Sequence, residues 1–269
     1  PGEIEALSSL PRPEWGVITP SGPAHMQAFS SVEEVAIEKS SLLEHLPSYG
    51  GAVLDRDDPW YPVLRQATRC RTVTVSQREP ADYLGQRVDR SDGQIEVLER
   101  RTGQTFLYPV PPPVPYMAGN ILRVIACARE HGIDPCVVAR ALAQYRPPPM
   151  RWQKQTMDRV LFINDAYNAN PLSMRAAAEA FLKEPCTRHW LVLGGMWELG
   201  ATGPEEHRAL GVFLAERPWA GVFVVGPMAE EIAEGAAAAA GGTAGPFVRC
   251  RDADDAARQL GPLLGVGDG

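Results

Sequence analysis

Two periods of apolar residues alternate along the chain. In "SVEEVAIEKSSLLEHL" (31–46), Val32, Val35, Ala36, Leu42, Leu43 and Leu46 recur at helical spacing. Ser30 or Ser31 stands where an N-cap belongs, and Glu33 and Glu34 fall in the first turn, where the helix dipole favours them. "WGVITP" (15–20) reads as a buried strand, "GAVLD" (51–55) as the next, and "GEIEALSSL" as a short opening helix. Residues 1–60 thus predict helix, strand, helix, strand. Between 71 and 110, "RTVTVS", "QIEVLERR" and "QTFLYPV" alternate more loosely and predict short, mostly antiparallel strands. Helices follow over 119–130 and 135–145. "RPPPM" (146–150) reads as a stiff linker, because repeated proline fixes φ and blocks a helix. A boundary there divides the chain into domains 1–147 and 148–269.

Beyond the linker the pattern is regular. Strands at 160–164, 189–194, 221–226 and 246–250 alternate with helices at 171–184, 204–217, 228–240 and 252–264, the last-but-one ending at Gly241–Gly242. This predicts an α/β fold with a parallel, doubly wound sheet, whose ligands bind at the carboxyl ends of strands. "INDAYNANP" occupies such an end and crowds Asn164, Asp165, Tyr167, Asn168 and Asn170 into one turn. Asn170 and Pro171 suit a helix start, as N-cap and first helical residue. Capping does not need the others, and an Asp at this place can hydrogen-bond the hydroxyls of a nucleotide sugar. "LVLGGMWELG" (191–200) runs a strand into Gly194-Gly195, which permits a tight turn or a close ligand. His207, alone on the following helix, reads as a packing residue. His25 lies just past a strand, and Lys39 lies two turns into its helix beside Ala36, Ile37, Leu42 and Leu43. Partial burial would depress the Lys39 pKa and make the amine easy to modify; the alternative is a solvated helix lysine.

Composition narrows the function classes. The 269 residues are 45% hydrophobic and 22% charged, an ordinary soluble composition for one large or two moderate domains. A net charge of −7, with no block of Lys/Arg, argues against nucleic acid or an anionic membrane as partner. Bound phosphate would have to be held locally. The five cysteines are scattered with no CxxC pair, which suggests a reducing compartment and argues against zinc. No apolar run is long enough to span a membrane.

Four segments in order resemble the Mur ligase family: "PGEIEALSSLPRPEWGVIT…GPAH…SSVEEVAIEKSSLLEHLPSYGGAVLDRDDPW", "GNILRVIACA", "MRWQKQTMDRVLFINDAYNANPLSMRAAAEAF" and "LVLGGMWELGATGPEEHRALG". The last is similar to the branch that adds D-Ala-D-Ala to a UDP-MurNAc-tripeptide. The resemblance implies the second half of a central ATPase domain followed by a Rossmann-like C-terminal domain. It implies an ATP- and Mg²⁺-dependent ligase of cytoplasmic peptidoglycan synthesis, monomeric, acting through an acyl phosphate on UDP-MurNAc-peptide and D-Ala-D-Ala. His25 aligns with a Mg²⁺-binding histidine and Lys39 with a lysine that becomes carbamylated and helps position Mg²⁺. Asn120 aligns with a nucleotide-contacting asparagine, Arg151 with an arginine reaching the ATP phosphates, and Asp165 with the ribose-binding aspartate. Asn168 and Asn170 share that nucleotide-facing turn. Pro20, Asp55 and Tyr116 stand where the family usually has Asn, Asn and His. No GxxGK[ST] phosphate loop occurs in the 269 residues. The expectation is an internal piece of such a ligase, inactive alone. The rival readings are a folylpolyglutamate- or cyanophycin-type ligase of the same superfamily and a non-catalytic scaffold.

Overall fold

The computed structural model describes residues 2–22, 26–87, 93–111, 115–239 and 241–269, the side chains of Arg87, Pro115 and Tyr116 excepted. They form two compact units, one of residues up to 22 together with 28–146, the other of 147–269 together with residues 26–27. No described helix is long and apolar enough to cross a membrane.

The first unit is built on a six-stranded sheet in the order β1-β2-β3-β4-β5-β6. Its strands are β1 (Trp15–Val17), β2 (Gly51–Asp55), β3 (Arg71–Ser76), β4 (Tyr83–Arg87), β5 (Gln94–Glu99) and β6 (Gln104–Pro109). Pairing is parallel from β1 to β4 and antiparallel from β4 to β6. Five helices belong to it: α1 (Glu3–Ser9), α2 (Val32–Glu44), α3 (Tyr61–Gln66), α4 (Pro115–Glu130) and α5 (Pro135–Gln144). The two-residue repeat of β2 serves two cores. Ala52 and Leu54 pack with Leu43 of α2 and Leu64 of α3. Val53 points the other way, joining Val73, Ile95 and Tyr108 against Ile121, Leu122 and Ile125 of α4.

The structure departs from the sequence reading at four places in this unit. "RTVTVS" pairs in parallel with β2 and β4, so antiparallel geometry begins only at β5. β4 (YLGQR) escapes a sequence reading because Gly85 interrupts its apolar pattern. The glycine leaves room for the Ile95 side chain, whose Cδ1 would lie 2.7 Å from an added Cβ and would have to move. α3 is a single short turn-and-a-half, with no repeat long enough to read. α4 also begins at Pro115, earlier than the apolar repeat indicates, because proline is well suited to a first helical turn.

The second unit contains β7 (Gln153–Met157), β8 (Val160–Asn164), β9 (Trp190–Leu193), β10 (Gly221–Val225) and β11 (Phe247–Cys250). Its helices are α6 (Pro171–Phe181), α7 (Gly203–Ala215), α8 (Glu230–Ala238) and α9 (Ala253–Leu260). The parallel sheet has the order β11-β10-β9. β8 was expected in that sheet; instead it pairs antiparallel with β7 through a turn at Asp158 and Arg159, both with positive φ (49° and 65°). β7 (QKQTM) is exposed along its length and carries no apolar alternation, so the pattern gave no sign of it. α7 and α8 pack closely because Gly211 and Gly235 lie at their contact. A Cβ on Gly235 would come within 2.0 Å of Arg208 O.

The last residues are tied down by Asp268, which is 2% exposed. Its carboxylate accepts from Arg188 Nη2 (2.7 Å), the Gly265 N–H (2.8 Å) and Trp190 Nε1 (3.3 Å). Burial alone would raise its pKa, but these donors outweigh burial and hold it below the usual value of 3.8. A carboxyl lowered in the folded state stabilises above its unfolded pKa, and that stability is lost as pH falls through the folded value. Asp268→Asn is therefore expected to lose about 2 kcal/mol at pH 7 in urea unfolding, on the scale of hydrogen bonds to charged groups. The deficit should shrink progressively below about pH 4.

Candidate functional site

In the first unit, the exits of β1 and β2 and the helices α2 and α4 bring charged groups together. Ser31 caps α2, its Oγ accepting from the Glu34 N–H at 3.2 Å. Lys39, two turns further on, is half-buried, and its Nζ donates to Pro20 O (2.7 Å) and Thr19 O (3.1 Å). Burial lowers its pKa; Asp58 opposes this and Arg123 adds to it. Asp55 ends β2, and the segment after it carries Asp57 and Asp58. Asp57 accepts from Ser76 Oγ and the Gln77 N–H, both at 2.6 Å. Asp58 is buried and accepts from the backbone N–H groups of Ser21 and Trp60, both at 2.9 Å.

Asp55 forms an ion pair with Arg123 of α4. Burial raises the Asp55 pKa and Arg123 opposes the rise. Arg123 is 2% exposed, and its Nη1 donates to Asn120 Oδ1, one turn earlier, at 3.4 Å. Arg123 thus links the aspartate at the end of β2 to Asn120. Sequence reasoning missed Arg123. Its only signal was a cation set three residues after Asn120 in the otherwise apolar "NILRVIACA".

His25 lies outside the described residues. Among the described residues, no group of three His, Cys, Asp or Glu side chains is placed to hold a metal ion. Lys39 here is a hydrogen-bond donor to two carbonyls, and both oxygens of Asp58 are taken by backbone amides. These residues do not by themselves make a Mg²⁺ site.

In the second unit, Arg151, Asp165, Asn168 and Asn170 gather at the carboxyl end of β8. The crowded polar residues there close the turn on itself. Asn164 Oδ1 accepts from the Ala166 N–H (3.2 Å), and Asn168 Oδ1 from the Ala169 N–H (2.8 Å). Asp165 Oδ1 accepts from the Trp152 N–H at 2.8 Å, tying the turn to the start of the unit. Asn170 caps α6 reciprocally: its Oδ1 accepts from the Ser173 N–H (2.8 Å), while its own N–H donates to Ser173 Oγ (3.1 Å). The Arg151 guanidinium stacks on Tyr167, 4.2 Å from the ring centroid.

A cavity of about 800 Å³ runs between β8 and β9, and its mouth is lined by Asp165, Tyr167, Asn168, Gly195 and Trp197. Tyr167 and Trp197 are 62% and 73% exposed, an aromatic pair of which the sequence reading named only Tyr167. His207 is structural. Its Nδ1–H donates to Gly203 O (2.6 Å), and its Nε2 accepts from the Met196 N–H (2.8 Å). The Nδ1 bond orients the ring within α7, and the Nε2 bond fastens the "GGMWELG" turn to that helix.

Comparison with known proteins matches each unit to a domain of one family. Residues 1–128 match the Mur ligase middle domain, and residues 150–269 match the Mur ligase glutamate ligase domain. A Bacillus subtilis protein named UDP-N-acetylmuramoyl-tripeptide–D-alanyl-D-alanine ligase is 33% identical over 237 residues, which is 87% of this chain and 51% of that protein. A Mycobacterium bovis protein of the same name is 33% identical over 245 residues, 84% of this chain and 46% of that one. The chain spans about half the length of these relatives. Among solved structures, MurF from Thermotoga maritima in complex with ADP superposes with a TM-score of 0.81 at 24% identity, covering 100% of this chain and 60% of that one. MurF from Acinetobacter baumannii gives 0.81 at 22% identity, covering 98% and 62%. With both domain matches in chain order on the two units described, the chain belongs to the Mur ligase family and carries its middle and C-terminal domains.

Proposed function

We propose that this chain supplies the middle and C-terminal domains of a cytoplasmic, monomeric, ATP-dependent amide ligase that joins D-Ala-D-Ala to a UDP-MurNAc-tripeptide in peptidoglycan synthesis. The observation that carries the reading is the 33% identity to ligases of that name across both domains. In such a reaction a substrate carboxylate attacks the γ-phosphorus of ATP, giving an acyl phosphate and ADP. The amine of D-Ala-D-Ala then attacks the acyl carbon, inorganic phosphate leaves, and the amine gives up a proton.

Asn120 and Asp165 are assigned to the nucleotide, with Asn168 beside them, and Arg151 to its phosphates. Asn170 shapes the turn as a helix cap. Metal ions would shield clustered phosphate charge. The residues assigned to Mg²⁺ are His25 and Lys39, the latter as a carbamate formed when the neutral amine adds CO₂ and releases a proton. The lowered pKa of Lys39 supports this, because it enlarges the neutral fraction. The Arg151 guanidinium stacks on Tyr167, itself part of the cavity lining, and offers a cation suited to an anion.

A chimera of the N-terminal half of the Bacillus subtilis relative with this chain tests the proposal. It should consume ATP and join D-Ala-D-Ala, not glutamate, to the tripeptide substrate. The 269-residue chain alone should give no turnover, since it has no GxxGK[ST] loop. A folded chimera that used glutamate, or that joined nothing, would overturn the assignment.

A further inference from the structure

Asn120 and Arg123 stand three residues apart on α4 and therefore share a face. Helical side chains lean toward the N-terminus, so an arginine at i+3 reaches back over the residue at i. Its path is open because position 119 is glycine: a Cβ there would lie 3.2 Å from Arg123 Nη1. A guanidinium is a planar fork of donors. Here one arm ends on Asp55 and the other on Asn120 Oδ1, the latter at 3.4 Å. Among the described residues the fork's hydrogen bonds go to these two side chains, and the buried Nε has no partner.

This arrangement decides which end of the Asn120 amide is left free. An amide has an accepting oxygen and a donating NH₂, and a flip of the side chain exchanges them. A guanidinium only donates, so the atom facing Arg123 must be the oxygen. The flipped amide would set its NH₂ against the cation and lose the bond. Arg123 is not free to turn aside, since it is 2% exposed and paired with Asp55. Asn120 itself is exposed, so its Nδ2 hydrogens are what it offers to a ligand. Asp55 stands where the family usually has Asn, and a neutral amide there could not form the ion pair that anchors the guanidinium.

We propose that Arg123 is a positioning residue that fixes the Asn120 amide as a hydrogen-bond donor, so that its partner on the nucleotide is an acceptor, a ring nitrogen or an oxygen. The proposal rests on the assignment of Asn120 to the nucleotide made above. Arg123 touches no reacting atom in this scheme. It acts by removing the flipped form of Asn120, which would present an oxygen to the ligand. A group ordered before binding spares the complex the entropy of ordering it. The effect therefore falls on the KM for ATP rather than on kcat.

Two measurements test this. In the 269-residue chain, NMR relaxation reads the order parameter of the Asn120 side-chain amide. It should exceed ~0.6 in the parent and fall below ~0.6, the flexible range, in Asp55→Asn/Arg123→Met. That variant removes both charges together, so neither is left buried alone. Equal order in the two chains would overturn the proposal. In the chimera described above, Asn120→Ala should raise the KM for ATP about 10-fold, the upper range for one lost hydrogen bond. Its kcat should change less than ~2-fold. Asp55→Asn/Arg123→Met should raise the KM at least ~3-fold and add nothing to Asn120→Ala, because the pair acts through Asn120. Asn120→Asp keeps a charged acceptor for Arg123 but loses the NH₂. It should melt no lower than the parent and raise the KM as much as Asn120→Ala does. Asn120→Asp with the parental KM would mean that the oxygen faces the nucleotide, and would overturn the proposal. So would full additivity of Asn120→Ala with the double variant. Asn120→Ala with the parental KM, while the parent amide is ordered, would instead overturn the nucleotide assignment on which the proposal rests.

Discussion

Arg123→Ala is expected to destabilise the 269-residue chain by about 3–5 kcal/mol, the usual penalty for removing one partner of a buried ion pair. Asp55 would then be left at the end of β2, facing a cavity, with burial already raising its pKa while Arg123 is present. Without the guanidinium that pKa rises further. A carboxyl raised in the folded state stabilises below its unfolded pKa, and that stability is lost as pH climbs through the folded value. The defect should therefore be small near pH 4 and grow toward pH 7. Asp55→Asn combined with Arg123→Met removes both charges and fills the space, and it should recover most of the loss. Urea unfolding of the two single variants and the double variant at both pH values measures the coupling. If Arg123→Ala were as stable as the parent, the pair would be idle and its link to Asn120 would have no structural weight.

The second large effect concerns Lys39. In the chimera, Lys39→Ala should lower the ligation rate at least ~10²-fold, the scale of losing one electrostatic group at a phosphoryl-transfer site. The melting temperature should move little, because among the described residues Nζ hydrogen-bonds to the carbonyls of Thr19 and Pro20 and the hydroxyl of Thr19, at a half-buried position. Lys39→Arg separates two explanations. Arginine keeps the cation but cannot take up CO₂ at neutral pH, because its guanidinium stays protonated. If Lys39 acts as a carbamate, Lys39→Arg should be as slow as Lys39→Ala. If Lys39 acts as a cation, Lys39→Arg should retain much of the activity and the carbamate assignment fails.

Much of the fold was legible because it depends on repeats that survive in a single sequence. The bounds of β2 and β8 read correctly from short apolar runs, and α2 read to within a turn from its helical spacing and Ser31. What escaped were elements whose stability comes from elsewhere. β7 is entirely exposed and is held by pairing with β8, and β4 depends on a glycine fitted under Ile95. The partner of β8 could not be read, because an apolar run shows that a strand is buried and not which edge it joins.

The site was legible in part. The turn 164–170 was identified as unusual, yet its polar excess has a local account that composition could not supply. Asn164, Asp165, Asn168 and Asn170 each accept from a backbone N–H within the second unit. These bonds give the turn internal partners without any ligand. Arg123 was hidden because a lone arginine in a helix usually reaches water, and only the fold shows it lying against Asp55.

The histidine of α7 carries a mechanical consequence. Because its two ring nitrogens hold Gly203 O and the Met196 N–H, the imidazole acts as a rivet between the helix and the turn after β9. Trp197, one residue beyond the rivet, cannot swing as an independent flap. To shift its ring by more than a rotamer, the protein must either break the Met196–His207 bond or carry α7 along. α7 is in turn locked to α8 at two glycines. The exposed indole thus sits at the end of a stiff arm, and its position reports the orientation of a helix pair.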